Sequence, residues 1–205
     1  MTYLREDTSG IVSLPRPEYS GVTVEQALRE RRSIRQYKRD FLPLETVSQL
    51  LWSAQGITDP HGWRTAPSAG ALYPLEVYVV AGDISGLSPG IYKYLSRQHA
   101  LNHIAEGDIR PSLATASLQQ TFIGDAPVIL VISAVFERTT RIYGERGVSY
   151  VYMDTGHACQ NVHLQAVSMG LGTVVLGAFR DEDVKRLVRM PDEEIPVALM
   201  PVGKL

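Results

Sequence analysis

Residues 126–134 read Ala-Pro-Val-Ile-Leu-Val-Ile-Ser-Ala, an almost unbroken apolar run. A strand with one wet face alternates apolar and polar residues; one that is apolar throughout is buried on both faces. The run therefore calls for a sheet covered on each side, and the remaining patterns supply the covers.

Residues 1–21 read as an extended N-terminal arm, because Leu14-Pro15-Arg16-Pro17 resists helix. Thr23 with Gln26 forms a capping-box pattern for a helix over 23–32. Pro43-Leu44-Glu45 opens a second helix, with Leu44, Val47, Leu50, Leu51 and Ala54 on one face and Gly56 at its end. Residues 75–81 are a strand, and 90–94 with 99–104 a hairpin that takes in His99 and His103. Further helices are expected over 108–120, 136–144, 148–170 and 181–189, and further strands over 172–176 and 195–202. Helices flanking one mixed, mainly antiparallel sheet make the class α+β. Residues 22–205 are read as a single domain.

The chain has 205 residues, enough to bury a real core, with 44% hydrophobic and 20% charged residues. Lys+Arg 20 against Asp+Glu 22 gives a net charge of -2, without the basic excess of a nucleic-acid binder. The single cysteine, Cys159, forms no intrachain disulfide and no Cys-x-x-Cys metal site. No run approaches the roughly 20 apolar residues of a membrane span, and the first ten residues lack the apolar stretch of a signal peptide. These features point to a cytoplasmic protein with no membrane partner.

Against that balance, Arg31-Arg32-Ser33-Ile34-Arg35 is locally extreme. Guanidinium forks match phosphate oxygens, and a serine hydroxyl adds a neutral donor. The competing reading is a solvated helix end whose cations favour the dipole. That accounts for one or two of the arginines but not for Ser33 or for the crowding of like charge. A second feature, Ala66-Pro67-Ser68-Ala69-Gly70-Ala71-Leu72-Tyr73-Pro74, is a run of small residues bracketed by prolines, suited to close approach by a flat, polar-edged group. Together the two suggest a phosphorylated planar cofactor.

Other motifs have plainer readings. Gly170-Leu171-Gly172 leaves a helix and enters a strand, the reverse of a dinucleotide-binding loop, so Gly170 reads as a helix cap. His157 and His163 lie six residues apart on one helix, about 120° around it, and do not share a metal. Ser68 lacks the setting of a nucleophile elbow. No catalytic residue and no metal site is assigned.

The order of motifs resembles the flavin-dependent nitroreductase family. Those motifs are Arg-Arg-Ser-x-Arg, Pro-Ser-Ala-Gly-Ala-Leu-Tyr-Pro, Gly156-His157-Ala158-Cys159-Gln160-Asn161, Gly170-Leu171-Gly172, Leu176-Gly177-Ala178-Phe179 and Pro201-Val202-Gly203-Lys204. Within the family the second and third forms are most similar to the SagB-type thiazole/oxazole dehydrogenase branch. The resemblance implies an α/β sandwich that binds FMN in an intertwined homodimer whose core is the helix over 148–170. By position, Arg31, Ser33 and Arg35 would hold the ribityl phosphate, with Arg32 nearby and Lys204 approaching from the far end of the chain. Pro67, Ser68, Ala69 and Gly70 would lie along the flavin from the partner subunit. Leu176, Gly177 and Ala178 would meet the ring edge through backbone groups.

The resemblance also implies ping-pong hydride transfer through flavin N5, between NAD(P)H and a small acceptor such as a quinone or nitroaromatic. The alternative is azoline oxidation on a peptide or small molecule, with Tyr143 as base. The Lys of the Lys-Tyr pair thought to serve that reaction is replaced by Ile142, and Ala71 stands where many nitroreductases carry Asn. A flavin-binding protein without turnover and a nucleotide-binding regulator are further readings. Residues 57–66 and 136–148 are the expected mouth loops, with Trp63 and Tyr143 as lining residues.

Overall fold

The computed structural model describes residues 10–19 and 21–205; the part of the extended-arm reading that falls on residues 1–9 and 20 lies outside them. Nine strands are described: β1 (Ile11–Ser13), β2 (Leu42–Pro43), β3 (Leu75–Ala81), β4 (Ile84–Ser85), β5 (Gly90–Leu95), β6 (Ala100–Glu106), β7 (Val128–Ala134), β8 (Leu171–Thr173) and β9 (Ile195–Lys204). The helices are α1 (Val24–Glu30), α2 (Leu44–Gln55), α3 (Arg110–Ala116), α4 (Phe122–Asp125), α5 (Glu137–Tyr143), α6 (Arg146–Ser168) and α7 (Asp181–Val188), with a 3-10 turn at Ala69–Ala71. The main sheet runs β1-β6-β5-β3-β7-β9-β8, and β2 and β4 form a small parallel pair apart from it.

β7 sits inside this order, and every one of its residues is buried. Its alternate side chains divide between two cores. Val128, Leu130, Ile132 and Ala134 join the cluster that includes Val47, Leu50 and Leu51 of α2 and Val151, Ala158 and Val162 of α6. Ile129 and Val131 join the opposite cluster, with Leu113 of α3, Ile123 of α4, and Val184 and Val188 of α7. This is the two-sided cover that the apolar run requires. The named strands of the main sheet pair antiparallel, and a parallel bridge enters at one edge, where Ser33 meets Thr173.

The expected capping interaction forms in part. Thr23 Oγ1 accepts from the Gln26 N–H at 3.2 Å, while the Gln26 side chain turns forward to Glu30 rather than back. Gly56 ends α2 with φ -64, not the left-handed value of a glycine cap. It is glycine for space, because a Cβ there would lie 2.2 Å from the Trp52 ring. Gly170 does take the left-handed conformation, at φ +68 just beyond α6.

Three expectations change. The helix over 108–120 stops at Ala116, because Leu118 and Gln119 take left-handed φ, and the chain resumes as α4. The strand over 172–176 is shorter and earlier, since beyond Thr173 the chain leaves β9 and re-pairs only through the Leu176–Leu199 bridge. His99 lies in the turn before β6, not in a strand, with its ring held by Ser48, Tyr94 and the Pro15 carbonyl.

Candidate functional site

The arginine segment runs from the end of α1 along the sheet edge. The Ile34 N–H donates to the Thr173 carbonyl at 2.9 Å, and the Lys38 N–H to the Lys204 carbonyl at 3.0 Å. The Tyr37 hydroxyl donates to the Ile34 carbonyl at 2.7 Å, and burial raises its pKa. These bonds hold residues 33–38 beside the ends of β8 and β9, where Leu171 pairs with Lys204. So Lys204, from the last strand, comes to the same edge as Ser33 and Arg35.

The three arginines do different things. Arg32 folds back on its own helix end, donating to the Arg29 carbonyl at 3.0 Å and the Arg31 carbonyl at 2.8 Å. That is the helix-end role weighed from the sequence, realised for this residue. Arg31 and Arg35 have no ion pair among the described residues. Arg31 lies near the buried His163 of α6; burial first, and then this cation, push the imidazole down to about 4, so it is neutral at pH 7. The Lys204 ammonium is held by Asp40 at 2.6 Å. Among the described residues, then, two guanidiniums without ion pairs lie on the same edge as the exposed Ser33 and Lys204, whose ammonium Asp40 holds.

The small-residue loop is anchored elsewhere. The Ser68 hydroxyl donates to Asp154 Oδ2 on α6 at 2.6 Å, and the Tyr73 N–H donates to Ser68 Oγ at 2.9 Å. The Ala69 N–H also donates to the Asp154 carboxylate, whose pKa burial raises. Gly70, Ala71 and Tyr73 all have positive φ. This contorted backbone keeps Pro67 and Gly70 exposed and Ala69 half-buried. Tyr143 of α5 reaches this loop: a Cβ on Gly70 would lie 2.7 Å from its hydroxyl. Tyr143 is packed edge-on against Tyr150, with ring centroids 5.1 Å apart. Arg64 lies over the Tyr73 ring, and Arg138 donates to the Tyr73 carbonyl at 3.1 Å. Trp63 is exposed on a turn held by Asp59.

The third candidate segment follows β8. Leu176 is buried, and both its N–H and its carbonyl pair with Leu199 at 2.9 Å. Its backbone is therefore occupied. The Ala178 carbonyl accepts from Gln120 at 3.1 Å. Gly177 and Ala178 are exposed, and their N–H groups have no partner among the described residues.

The arginine edge and the small-residue loop meet the long helix α6 at different points, the first at His163 and the second at Asp154. Nine residues of helix separate those points, about 14 Å at 1.5 Å per residue. The sequence reading does not single out Asp154; its being the only acidic residue between Arg146 and Ser168 is the available signal.

Comparison with known proteins gives a consistent relationship. The model of the nitroreductase family matches residues 28–204. A protein of Methanocaldococcus jannaschii described as a nitroreductase is 45% identical over 188 residues, covering 92% of this chain and 94% of that one. The crystal structure of a nitroreductase from Ralstonia eutropha superposes with a TM-score of 0.83 at 29% identity, covering 97% of this chain and 91% of that one. The microcin B17-processing protein McbC of Escherichia coli is 28% identical over 162 residues, 75% of this chain but only 59% of its own length. The nitroreductase family is generally flavin-dependent. The match to the family model spans the arginine edge, the small-residue loop and Lys204 alike, and the chain belongs to the nitroreductase family of oxidoreductases.

Proposed function

We propose that this protein is an FMN-dependent oxidoreductase working as a homodimer. The observation that carries this is the cationic edge: Arg31 and Arg35, without ion pairs among the described residues, beside Ser33 and with Lys204 brought to the same edge by β9. Arg31, Ser33, Arg35 and Lys204 would hold the ribityl phosphate. Pro67, Ser68, Ala69 and Gly70 would lie along the ring. The free N–H groups of Gly177 and Ala178 would face negative charge at the ring edge. When bound, FMN would supply hydride chemistry between NAD(P)H and a small acceptor such as a quinone or nitroaromatic.

Two features support the dimer reading: the separation of about 14 Å between the two points on α6, and what α6 leaves uncovered. Val148, Tyr152 and Met153 of α6 are 39%, 56% and 51% exposed, and Gly156 continues the same stripe. An apolar stripe of this kind on a long helix favours a protein partner. Packing α6 on the α6 of a second copy would cover it and carry the loop of one copy toward the arginine edge of the other.

Azoline oxidation is the second reading. It is favoured by the Tyr143 hydroxyl lying over Gly70 and by the likeness to McbC, whose name describes processing of microcin B17. Ile142, 61% exposed beside Tyr143, weighs against it, since a proton-transferring lysine is missing there. Arg31→Ala combined with Arg35→Ala tests the phosphate assignment. The variant should purify without flavin and stay folded by circular dichroism; a variant as yellow as the parent protein would overturn the assignment.

A further inference from the structure

The protein occupies two of the three hydrogen-bonding sites of the Ser68 hydroxyl. Its hydrogen goes to Asp154 Oδ2 at 2.6 Å, and one lone pair takes the Tyr73 N–H at 2.9 Å. A serine hydroxyl has one donor and two acceptor sites, so a single lone pair is left. Asp154 is 4% exposed and takes a second donor, the Ala69 N–H. An ionised carboxylate only accepts, so it cannot reverse the direction of the Ser68 bond. Such a carboxylate costs free energy to bury unless hydrogen-bonded, and among the described residues both of its donors come from this loop. Around it the backbone holds Gly70 at φ +61 and Ala71 at φ +52, so the loop has little freedom to turn Ser68 elsewhere.

We propose that Asp154 is a positioning residue that fixes Ser68 as a hydrogen-bond acceptor toward the bound cofactor. The inference deepens the FMN reading and rests on it. An acceptor-only hydroxyl favours a planar ring that offers an N–H there. An oxidised isoalloxazine ring carries one such donor, its imide N–H. A ring presenting a carbonyl or an unprotonated nitrogen at that place meets lone pair with lone pair. Asp154 thus selects which edge of a ring the loop accepts, without touching it.

Asp154→Asn tests this without changing side-chain size. The amide has one oxygen for two donors. If it serves the Ala69 N–H, its NH2 points at Ser68, and the hydroxyl hydrogen must turn outward toward the cofactor. Flavin-stripped full-length protein is titrated with FMN by fluorescence, for the wild type, Asp154→Asn, Ser68→Ala and the double variant, with thermal midpoints measured alongside. Asp154→Asn should raise the Kd about tenfold or more, and Ser68→Ala by less, because an opposed donor is worse than none. In the Ser68→Ala background, Asp154→Asn should add no further loss. Equal FMN binding by Asp154→Asn and wild type, or losses that multiply in the double variant, would overturn the inference while leaving the FMN reading intact. A wild type that takes up no FMN would overturn both. Should Asp154→Asn fail to fold, Ser68→Ala decides alone: binding unchanged from wild type would contradict the proposal.

Discussion

Lys204 Nζ lies 2.6 Å from Asp40 Oδ2, so the last cation of the chain is tied to the turn that follows the arginine segment. Hydrogen bonding to Lys204, and then its charge, lower the Asp40 pKa. A phosphate arriving at this edge competes with Asp40 for the ammonium. Asp40→Asn should tighten FMN binding roughly two- to fivefold, the scale of an exposed ion pair. Lys204→Ala should weaken it roughly tenfold or more. Fluorescence titration at low and high salt checks both, and the Asp40→Asn effect should shrink with salt.

Gly172 makes room for the arginine segment. A Cβ there would lie 2.6 Å from Ile34 Cγ2 and 2.9 Å from Ile34 Cβ, too close for either atom to stay. Gly172→Ala should push Ile34 away from β8, break its N–H bond to Thr173, and with it move Ser33 and Arg35. The expected result is a loss of FMN affinity larger than the loss in thermal midpoint, read by titration and by calorimetry on the same sample.

His163 gives a pH dependence of known sign. Its pKa falls from 6.5 to about 4 on folding, so the unfolded chain binds more protons between those values. Stability is therefore full above about pH 6.5 and declines as pH falls toward 4, by up to about 3 kcal/mol. Urea unfolding across this range should show the decline, and His163→Gln should flatten it. Arg31→Gln removes a lowering charge, so the imidazole resonances should then titrate at higher pH.

Leu130 is fully buried in β7, between the helices of one face. Leu130→Ala should cost about 2–5 kcal/mol by urea unfolding, the range for cavities in cores that relax only partly.

Much of this architecture is legible in the residues. Two-sided burial of β7 follows from its composition, and the long helix and paired strands from their periodicity. The elements that changed are those where local backbone decides: left-handed Leu118 and Gln119 split one helix, and His99 was drawn from a strand into a turn by its own hydrogen bonds. At the site, residue chemistry suggested phosphate binding, but not that Arg32 would spend its guanidinium on the end of α1. Nor do local patterns reveal that Leu176 is closed by Leu199, or that Asp154 lies under Ser68. Those are contacts between distant parts of the chain, and no local pattern encodes them.

The most direct test is the visible spectrum of the purified protein before and after anaerobic addition of NADH, and separately of NADPH. The account predicts a flavin band that bleaches with at least one nucleotide and returns when a quinone or nitroaromatic is added. A protein that is colourless and takes up no FMN, or a bound flavin that neither nucleotide reduces, would contradict it.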